Sequence, residues 1–308
     1  MKAAYTIDDL RAWESAVAAE PVRPRLGVFG DPVLHSRSPQ MHNPALEQCG
    51  IDARYVRLHI GEPDFAEAIR LLAPSGFLGA NVTIPHKAAA LRAVDDADPV
   101  ARRMGAVNTV VVEGDRLAGF STDGPGFVRA LREDFSVDLR DLRVLVLGAG
   151  GGAGRSIAVQ CAIERCERLV LVNRTPEKAV ELARELAPDF RGGRLEGPTA
   201  RLVAVPWDEA HLRRELDQVD LVVNATSVGM RRTDPAVLPP GLLRAFHLVY
   251  DTVYAGSGPT PLLSAAAEAG ARGANGLSML LHQGALSFEI WFNRPAPLEA
   301  MRKGLMAA

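Results

Sequence analysis

The segment Val144-Leu145-Val146-Leu147-Gly148-Ala149-Gly150-Gly151-Gly152-Ala153-Gly154 runs an unbroken apolar stretch into nothing but glycine and alanine. A helical stretch, Arg155–Ile163, follows it, and then a second apolar run, Leu169–Val172. That succession reads as strand, glycine turn, helix and strand, the opening of a doubly wound parallel sheet. Within the turn, Gly148, Gly150 and Ala153 fit the spacing G-x-G-x-x-G/A. Glycines there admit a tight turn and let backbone amides approach a pyrophosphate at the positive end of a helix. The pattern alone also occurs in purely structural turns. Between a strand and a helix, it predicts a dinucleotide site.

The end of the second strand separates the two nicotinamide dinucleotides. Sheets that bind NAD usually carry a carboxylate there to hold the ribose 2′-hydroxyl. This chain has Asn173-Arg174-Thr175 instead. A guanidinium and a hydroxyl suit a 2′-phosphate that a carboxylate would repel, so NADP is the expected cofactor. The bland reading of Arg174 is a solvated loop residue. Further strands are expected at Leu202–Val205, Leu221–Asn224 and Leu248–Asp251, with Gly192-Gly193 and Pro239-Pro240-Gly241 as loop punctuation. Asn224-Ala225-Thr226-Ser227-Val228-Gly229-Met230 leaves the end of one of these strands, where doubly wound sheets bind ligands.

Toward the amino terminus, Leu26–Gly30 reads as another buried strand. Ser38 then looks like the N-cap of a helix whose first residue is Pro39 and whose stop is Gly50. Four segments of this half carry polar groups in unusual places. Ser36 and Ser38 are two apart, so an extended backbone points both hydroxyls one way, toward a helix amino terminus suited to a carboxylate. A plain turn residue and N-cap explain them equally well. In Gly79-Ala80-Asn81-Val82-Thr83-Ile84-Pro85-His86-Lys87, Asn81 and Thr83 share one face. Lys87 precedes a helix expected over 88–93, where the positive end of the dipole disfavours an ammonium, as suits a general base. Gly105-Ala106-Val107-Asn108-Thr109 and Ser121-Thr122-Asp123-Gly124-Pro125-Gly126 complete the set. Asp123 either caps the following helix or orients Lys87.

A length of 308 residues predicts two domains. With 35 basic against 37 acidic residues, the chain offers no electrostatic case for nucleic acid or an anionic membrane. Cys49, Cys161 and Cys166 are too few and scattered for a disulfide framework or a zinc set, which points to a reducing cytoplasm. Asp8, Asp9, Arg11 and Glu14 interrupt the amino terminus, so it reads as no signal peptide. Residues 1–22 read as a short amphipathic helix with Leu10, Trp13 and Val17 on one side, and no uncharged apolar run is long enough to span a bilayer. The histidines form no H-x-x-x-H or H-E-x-x-H pair, so no metal is expected. Asp95, Asp96 and Asp98 read as a solvated turn rather than a magnesium site, and Ser36 lacks the G-x-S-x-G of a nucleophile elbow. The helical stretch Met279–Phe292 is expected to cross back onto the first domain.

From about Gly27 to Trp291 these motifs, with a late T-P…G-x-x-M-L-x-x-Q pattern, resemble the shikimate dehydrogenase family. The resemblance implies an α/β fold of two domains, a substrate-binding α/β domain (1–123 with 276–308) and a Rossmann-type doubly wound NADP-binding domain (124–275), with a cleft between them. It implies that Ser36 and Ser38 bind a substrate carboxylate, that Asn81, Thr83, Asn108 and Gln283 hold ring hydroxyls, and that Tyr254 lies beside the ring. Lys87 and Asp123 would be the catalytic pair. Gly148, Gly150, Gly151, Gly152, Ala153, Thr226, Ser227 and Gly276 would meet the dinucleotide, Asn173, Arg174 and Thr175 its 2′-phosphate, and Met279 its nicotinamide end. The implied activity is reversible NADPH-dependent reduction of 3-dehydroshikimate to shikimate, in chorismate biosynthesis, by a cytoplasmic monomer or homodimer. The alternatives are a quinate or aminoshikimate dehydrogenase of the same superfamily, or a non-catalytic NADP-binding regulatory paralogue. His86, Ser121 and the extra glycines Gly152 and Gly154 depart from the family pattern.

Overall fold

Runs of valine and leucine build two six-stranded sheets, one in each of two units: Met1–Thr122 with Leu281–Ala308, and Asp123–Leu280. The computed structural model describes residues 2–191, 200–231, 233–254 and 258–307, so the Gly192-Gly193 loop lies outside the described residues.

In the first unit the strands are β1 (Pro24–Gly30), β2 (Arg54–His59), β3 (Gly79–Val82), β4 (Asp96–Ala97), β5 (Thr109–Glu113) and β6 (Arg116–Phe120). They lie in the order β2-β1-β3-β5-β6-β4. β1 is parallel to β2 and β3, whereas β5 is antiparallel to β3 and β6. This mixture brings the carboxyl ends of β1, β3 and β6 to the same edge as the start of β5. The helix Ser38–Gln48 begins at Ser38 itself, with Arg37 in the capping position and no side-chain cap, which corrects the expected N-cap. The Ser38 hydroxyl is engaged elsewhere. Gly50, at φ +62°, does follow the helix end, in the left-handed conformation that glycine adopts without penalty.

The amino-terminal segment forms two short helices, Ile7–Arg11 and Trp13–Ala16, rather than one. Leu10, Trp13 and Val17 are all buried, and Trp13 packs on Phe77 and Tyr5. Before them, Tyr5 pairs beside β2: its N–H donates to the Arg57 carbonyl (2.9 Å), and the His59 N–H donates to its own (2.8 Å). The segment thereby covers part of a sheet edge that would otherwise offer unpaired backbone groups.

The second unit holds β7 (Arg143–Leu147), β8 (Arg168–Val172), β9 (Leu202–Val205), β10 (Leu221–Asn224), β11 (Leu248–Asp251) and β12 (Arg272–Asn275). All are parallel, in the order β12-β11-β10-β7-β8-β9. From β7 the chain winds outward to β9, then returns to the other side of β7 at β10, which puts the switch of direction between β7 and β10. Helices cover both faces of such a sheet, so its central strands are continuously apolar. Val144 to Leu147, Leu169 to Val172 and Leu221 to Val223 are each completely buried. The helix Leu277–Phe292 is divided between the units after Leu280.

Candidate active site

The first sheet gathers its polar motifs at one edge. β1 and β3 run side by side with Val28 opposite Asn81, and their exit loops stay together: the Thr83 N–H donates to the Phe29 carbonyl (2.9 Å) and the Asp31 N–H to that of Ile84 (3.1 Å). Gly30 is required there, because a Cβ on it would lie 2.6 Å from the Thr83 methyl. Lys87 is half-buried and opens the helix Lys87–Ala93. Its carbonyl accepts from the Val107 N–H (3.0 Å), which draws the Gly105–Asn108 segment beside it.

The serine pair converges as its spacing suggests: the Ser36 hydroxyl donates to that of Ser38 at 3.1 Å. Arg57 fixes the loop by donating Nε and Nη2 to the Ser36 carbonyl (3.0 and 2.6 Å). Burial pushes the pKa of the Tyr55 phenol well up. That phenol donates to Asn81 Oδ1 at 2.7 Å. The Asn81 amide in turn reaches the Asn108 carbonyl (3.0 Å), Thr109 Oγ1 (3.1 Å) and Ser287 Oγ (2.9 Å). Both ends of the buried Asn81 side chain are therefore committed inside the protein. Asn108 is buried as well, accepting from the Thr122 N–H (2.8 Å) and donating to Thr122 Oγ1 (2.9 Å) and Gln283 Oε1 (3.3 Å). The Asn81, Asn108–Thr109 and Thr122 segments and the late helix thus meet in one connected network.

The departures from the family pattern have local explanations. His86 is buried, stacks on Phe65 at 4.4 Å and hydrogen-bonds the Ile60 carbonyl (2.7 Å), so it is a packing residue. The Ser121 hydroxyl donates to the Met104 sulfur (3.1 Å), and it is Thr122 that grips Asn108. Asp98 caps the helix Pro99–Met104 through the Ala101 N–H, Asp95 accepts from the Leu117 N–H, and Asp96 pairs with Arg102. His35 is exposed.

In the second unit the expected cofactor residues line the carboxyl edge of the parallel strands. Gly148 has φ +86°, and a Cβ there would lie 2.7 Å from the Thr226 methyl, so the Thr226 loop rests against the turn at the switch point. A Cβ on Gly150 would meet Lys178 Cβ at 2.6 Å and Asn173 Nδ2 at 3.0 Å. The helix begins at Gly152, with Gly151 in the capping position. Its close approach to the strand falls at Gly154, where a Cβ would sit 2.0 Å from the Gly148 carbonyl oxygen. This close approach adds Gly154 to the positions where the turn needs glycine, one residue after Ala153 of the fingerprint. Around Gly152 a Cβ would meet nothing within 4 Å.

Asn173 braces this turn, accepting from the Gly150 N–H (3.3 Å) and donating to the Thr175 carbonyl (2.9 Å). Arg174, Thr175 and Lys178 are exposed, and neither cation makes an ion pair among the described residues. Thr226 donates from both N–H (3.1 Å) and hydroxyl (2.7 Å) to Asn224 Oδ1, while Ser227 stays exposed. Beneath them, buried Asp251 accepts from Thr260 Oγ1 (2.6 Å), Asn224 Nδ2 (2.9 Å) and the Val253 N–H (3.1 Å), and burial raises its pKa. Gly276 is required after β12, since a Cβ would lie 2.1 Å from the Thr252 carbonyl oxygen. Tyr254 follows β11 and is half-buried; Met279 is buried. Asp123, buried, opens the helix Asp123–Phe135 directly after Thr122.

Sequence reasoning missed four residues of these networks. Lys178 lay one helical turn beyond Arg174 and carried a visible charge. Asp251, an acid closing an apolar strand, was equally legible. Tyr55 and Ser287 gave no signal, because their roles depend on partners far away in the sequence.

Residues 28–110 match the family described as the shikimate dehydrogenase substrate binding domain, 130–230 that of shikimate / quinate 5-dehydrogenase, and 276–306 the shikimate 5'-dehydrogenase C-terminal domain. The chain is 43% identical over 284 residues to the shikimate dehydrogenase (NADP(+)) of Moorella thermoacetica, covering 92% of each. It is 39% identical to that of Methanopyrus kandleri, covering 91% of this chain and 94% of the relative. Its fold superposes, with a TM-score of 0.79 and 35% identity, on the shikimate 5-dehydrogenase of Thermus thermophilus in complex with NADP(H) and shikimate, covering 92% of this chain and 99% of that one.

Proposed function

The chain belongs to the shikimate dehydrogenase family, and from that premise we propose that it is an NADP-dependent oxidoreductase interconverting 3-dehydroshikimate and shikimate. The observation that carries the reading is the convergence of Ser36, Ser38, Thr83, Lys87 and Asn108 at one edge of the first sheet. Paired hydroxyls suit a ring carboxylate, and amides and hydroxyls beyond them suit ring hydroxyls. In the second unit the glycine turn leaves room for a pyrophosphate, and Arg174 and Lys178, which make no ion pair among the described residues, fit an added 2′-phosphate.

NADPH supplies the hydride when bound. The protein supplies orientation and a proton. Protonated Lys87 gives its proton to the ketone oxygen as the carbon beneath it is reduced, and takes it back in the reverse direction. Asp123 holds that oxygen or the lysine in place. Ser36 and Ser38 anchor the carboxylate; Thr83, Asn108 and Gln283 fix the ring hydroxyls, with Asn81 positioning Asn108 from below. Tyr254 lies beside the ring, and Asn173 holds the turn in shape for Arg174, Thr175 and Lys178. No helix among the described residues is long and apolar enough to cross a membrane; the reading is of a cytoplasmic biosynthetic enzyme working as a monomer or homodimer.

Lys87→Ala tests the assignment. The variant is expected to lose about 10²–10⁴ in kcat, the usual worth of a positioned acid–base group, with little change in shikimate KM. Near-normal turnover would remove Lys87 from the mechanism.

A further inference from the structure

Beside β2 lies a cavity of about 430 Å³ that none of the expected substrate or cofactor residues lines. Its walls are the helix Ser38–Gln48, β2 itself, the segment before Tyr5 and the helix Leu298–Met306, all within the first unit. The last helix comes close because Gly304 has no side chain: a Cβ there would lie 2.1 Å from the Gln40 carbonyl oxygen. Pro39, Pro44, Val56 and Ala307 supply apolar surface. The charged lining is of one sign. Lys2, Arg54 and Arg57 border the cavity, and among the described residues no carboxylate does.

Lys2 already has a counter-ion in Asp9 (2.5 Å). The two arginines have none among the described residues, although both are half-buried. Arg57 commits Nε and Nη2 to the Ser36 carbonyl and to Gln40 Oε1 (3.0 Å). Its Nη1 and the Gln40 Nε2 amide keep their hydrogens without an acceptor among the described residues. Burial lowers the Arg57 pKa, and no carboxylate opposes that shift. The Arg54 guanidinium makes no hydrogen bond among the described residues, and its Nε is shielded from solvent. Charge and donors withdrawn from water without a partner are costly, and a bound anion relieves both costs.

We propose that this cavity is a second binding site, for a phosphate dianion carried on a small organic body. Two uncompensated guanidiniums match a phosphate monoester, which carries about −1.5 to −2 at neutral pH. The planar fork of arginine donors fits phosphate oxygens. The volume lies within the range of about 300–1,000 Å³ usual for small-molecule sites, and the apolar walls suit a short carbon body.

The test is calorimetric titration of protein saturated with NADP, so that the glycine turn and Arg174 are already occupied. The probes are glycerol 2-phosphate, inorganic phosphate and malonate at fixed ionic strength. Glycerol 2-phosphate is expected to bind at one site with a Kd of about 1 mM or below. It should bind at least about threefold tighter than inorganic phosphate, which lacks the carbon body, and about tenfold tighter than malonate. Arg54→Gln should weaken it about tenfold or more, the worth of a charge-assisted bond. Ala307→Glu places a carboxylate at an exposed position of the lining and should weaken it as much, which keeps the test open if Arg54→Gln folds poorly. Neither residue belongs to the substrate or cofactor machinery, so turnover without phosphate should hold in both. Equal affinity for the two phosphates supports the site and makes free phosphate its ligand. Wild-type protein that does not bind either phosphate, binding unchanged in the variants, or a preference for malonate overturns the proposal.

Discussion

At the carboxyl edge of the second sheet the site is shaped by leaving side chains out, whereas at the corresponding edge of the first it is shaped by side chains that fill the space and bond to one another. Gly148, Gly150, Gly154 and Gly276 each stand where a Cβ would collide with a neighbour. Asn81, Asn108, Thr109, Thr122 and Ser287, by contrast, are buried polar groups paired among themselves. A pyrophosphate is recognised through backbone amides and needs close approach. A small ring acid carrying several hydroxyls needs donors and acceptors at fixed points, and these must come from side chains. The two edges should therefore fail in different ways.

The largest difference is expected within the glycine turn. Gly154→Ala forces a methyl against the Gly148 carbonyl at 2.0 Å, backbone that cannot step aside. It should cost about 3 kcal/mol or more and abolish NADP binding, measured by denaturant unfolding and by cofactor titration. A variant with normal stability and affinity would show that the helix does not need this approach.

Charge comes next. Arg174→Ala should raise NADP KM about 10- to 100-fold, the worth of charge-assisted bonds to a phosphate, while KM for shikimate holds. An equal effect on both ligands would mean that Arg174 acts on the fold.

His42 tests the filled edge. It is completely buried, neither ring nitrogen has a hydrogen-bond partner among the described residues, and burial pushes its pKa from 6.5 down to about 3. The unfolded chain takes up a proton below about pH 6.5 that the folded chain refuses. Stability is therefore complete above that pH and falls as the medium turns acid, by roughly 2 kcal/mol at pH 5 from this group alone. Urea unfolding of His42→Phe should show a shallower decline between pH 7 and 5, and an unaltered slope would remove His42 as its source. The smallest effect belongs to Gly152→Ala, where a Cβ meets nothing within 4 Å: stability should stay within about 0.5 kcal/mol and NADP KM should not move.

The same contrast explains what could be read in advance. Strands β7, β8, β10 and β11 announce themselves because a sheet covered on both faces has continuously apolar strands, and the glycine turn follows at once. The close approach at Gly154 was not legible, because spacing does not reveal where the helix begins. In the first unit the motif residues were legible as polar groups at period two, but their partners were not. Ser38 read as an N-cap because spacing does not reveal that the helix starts at Ser38 itself, with Arg37 in the capping position. Asn81 read as a ligand, and nothing in G-A-N-V-T reveals that its side chain also bonds Tyr55 and Ser287. The split of residues 7–16 into two helices, and the cover that Tyr5 gives β2, likewise depend on contacts that periodicity does not encode.

The most direct measurement follows absorbance of the reduced cofactor on mixing purified protein with shikimate or quinate, each with NADP or NAD. The account predicts rapid reduction with shikimate and NADP, and rates lower by at least about tenfold in the other three combinations, as befits ligands that leave charged or hydrogen-bonding groups unmatched. Turnover favouring quinate or NAD, or none in any combination, would contradict it.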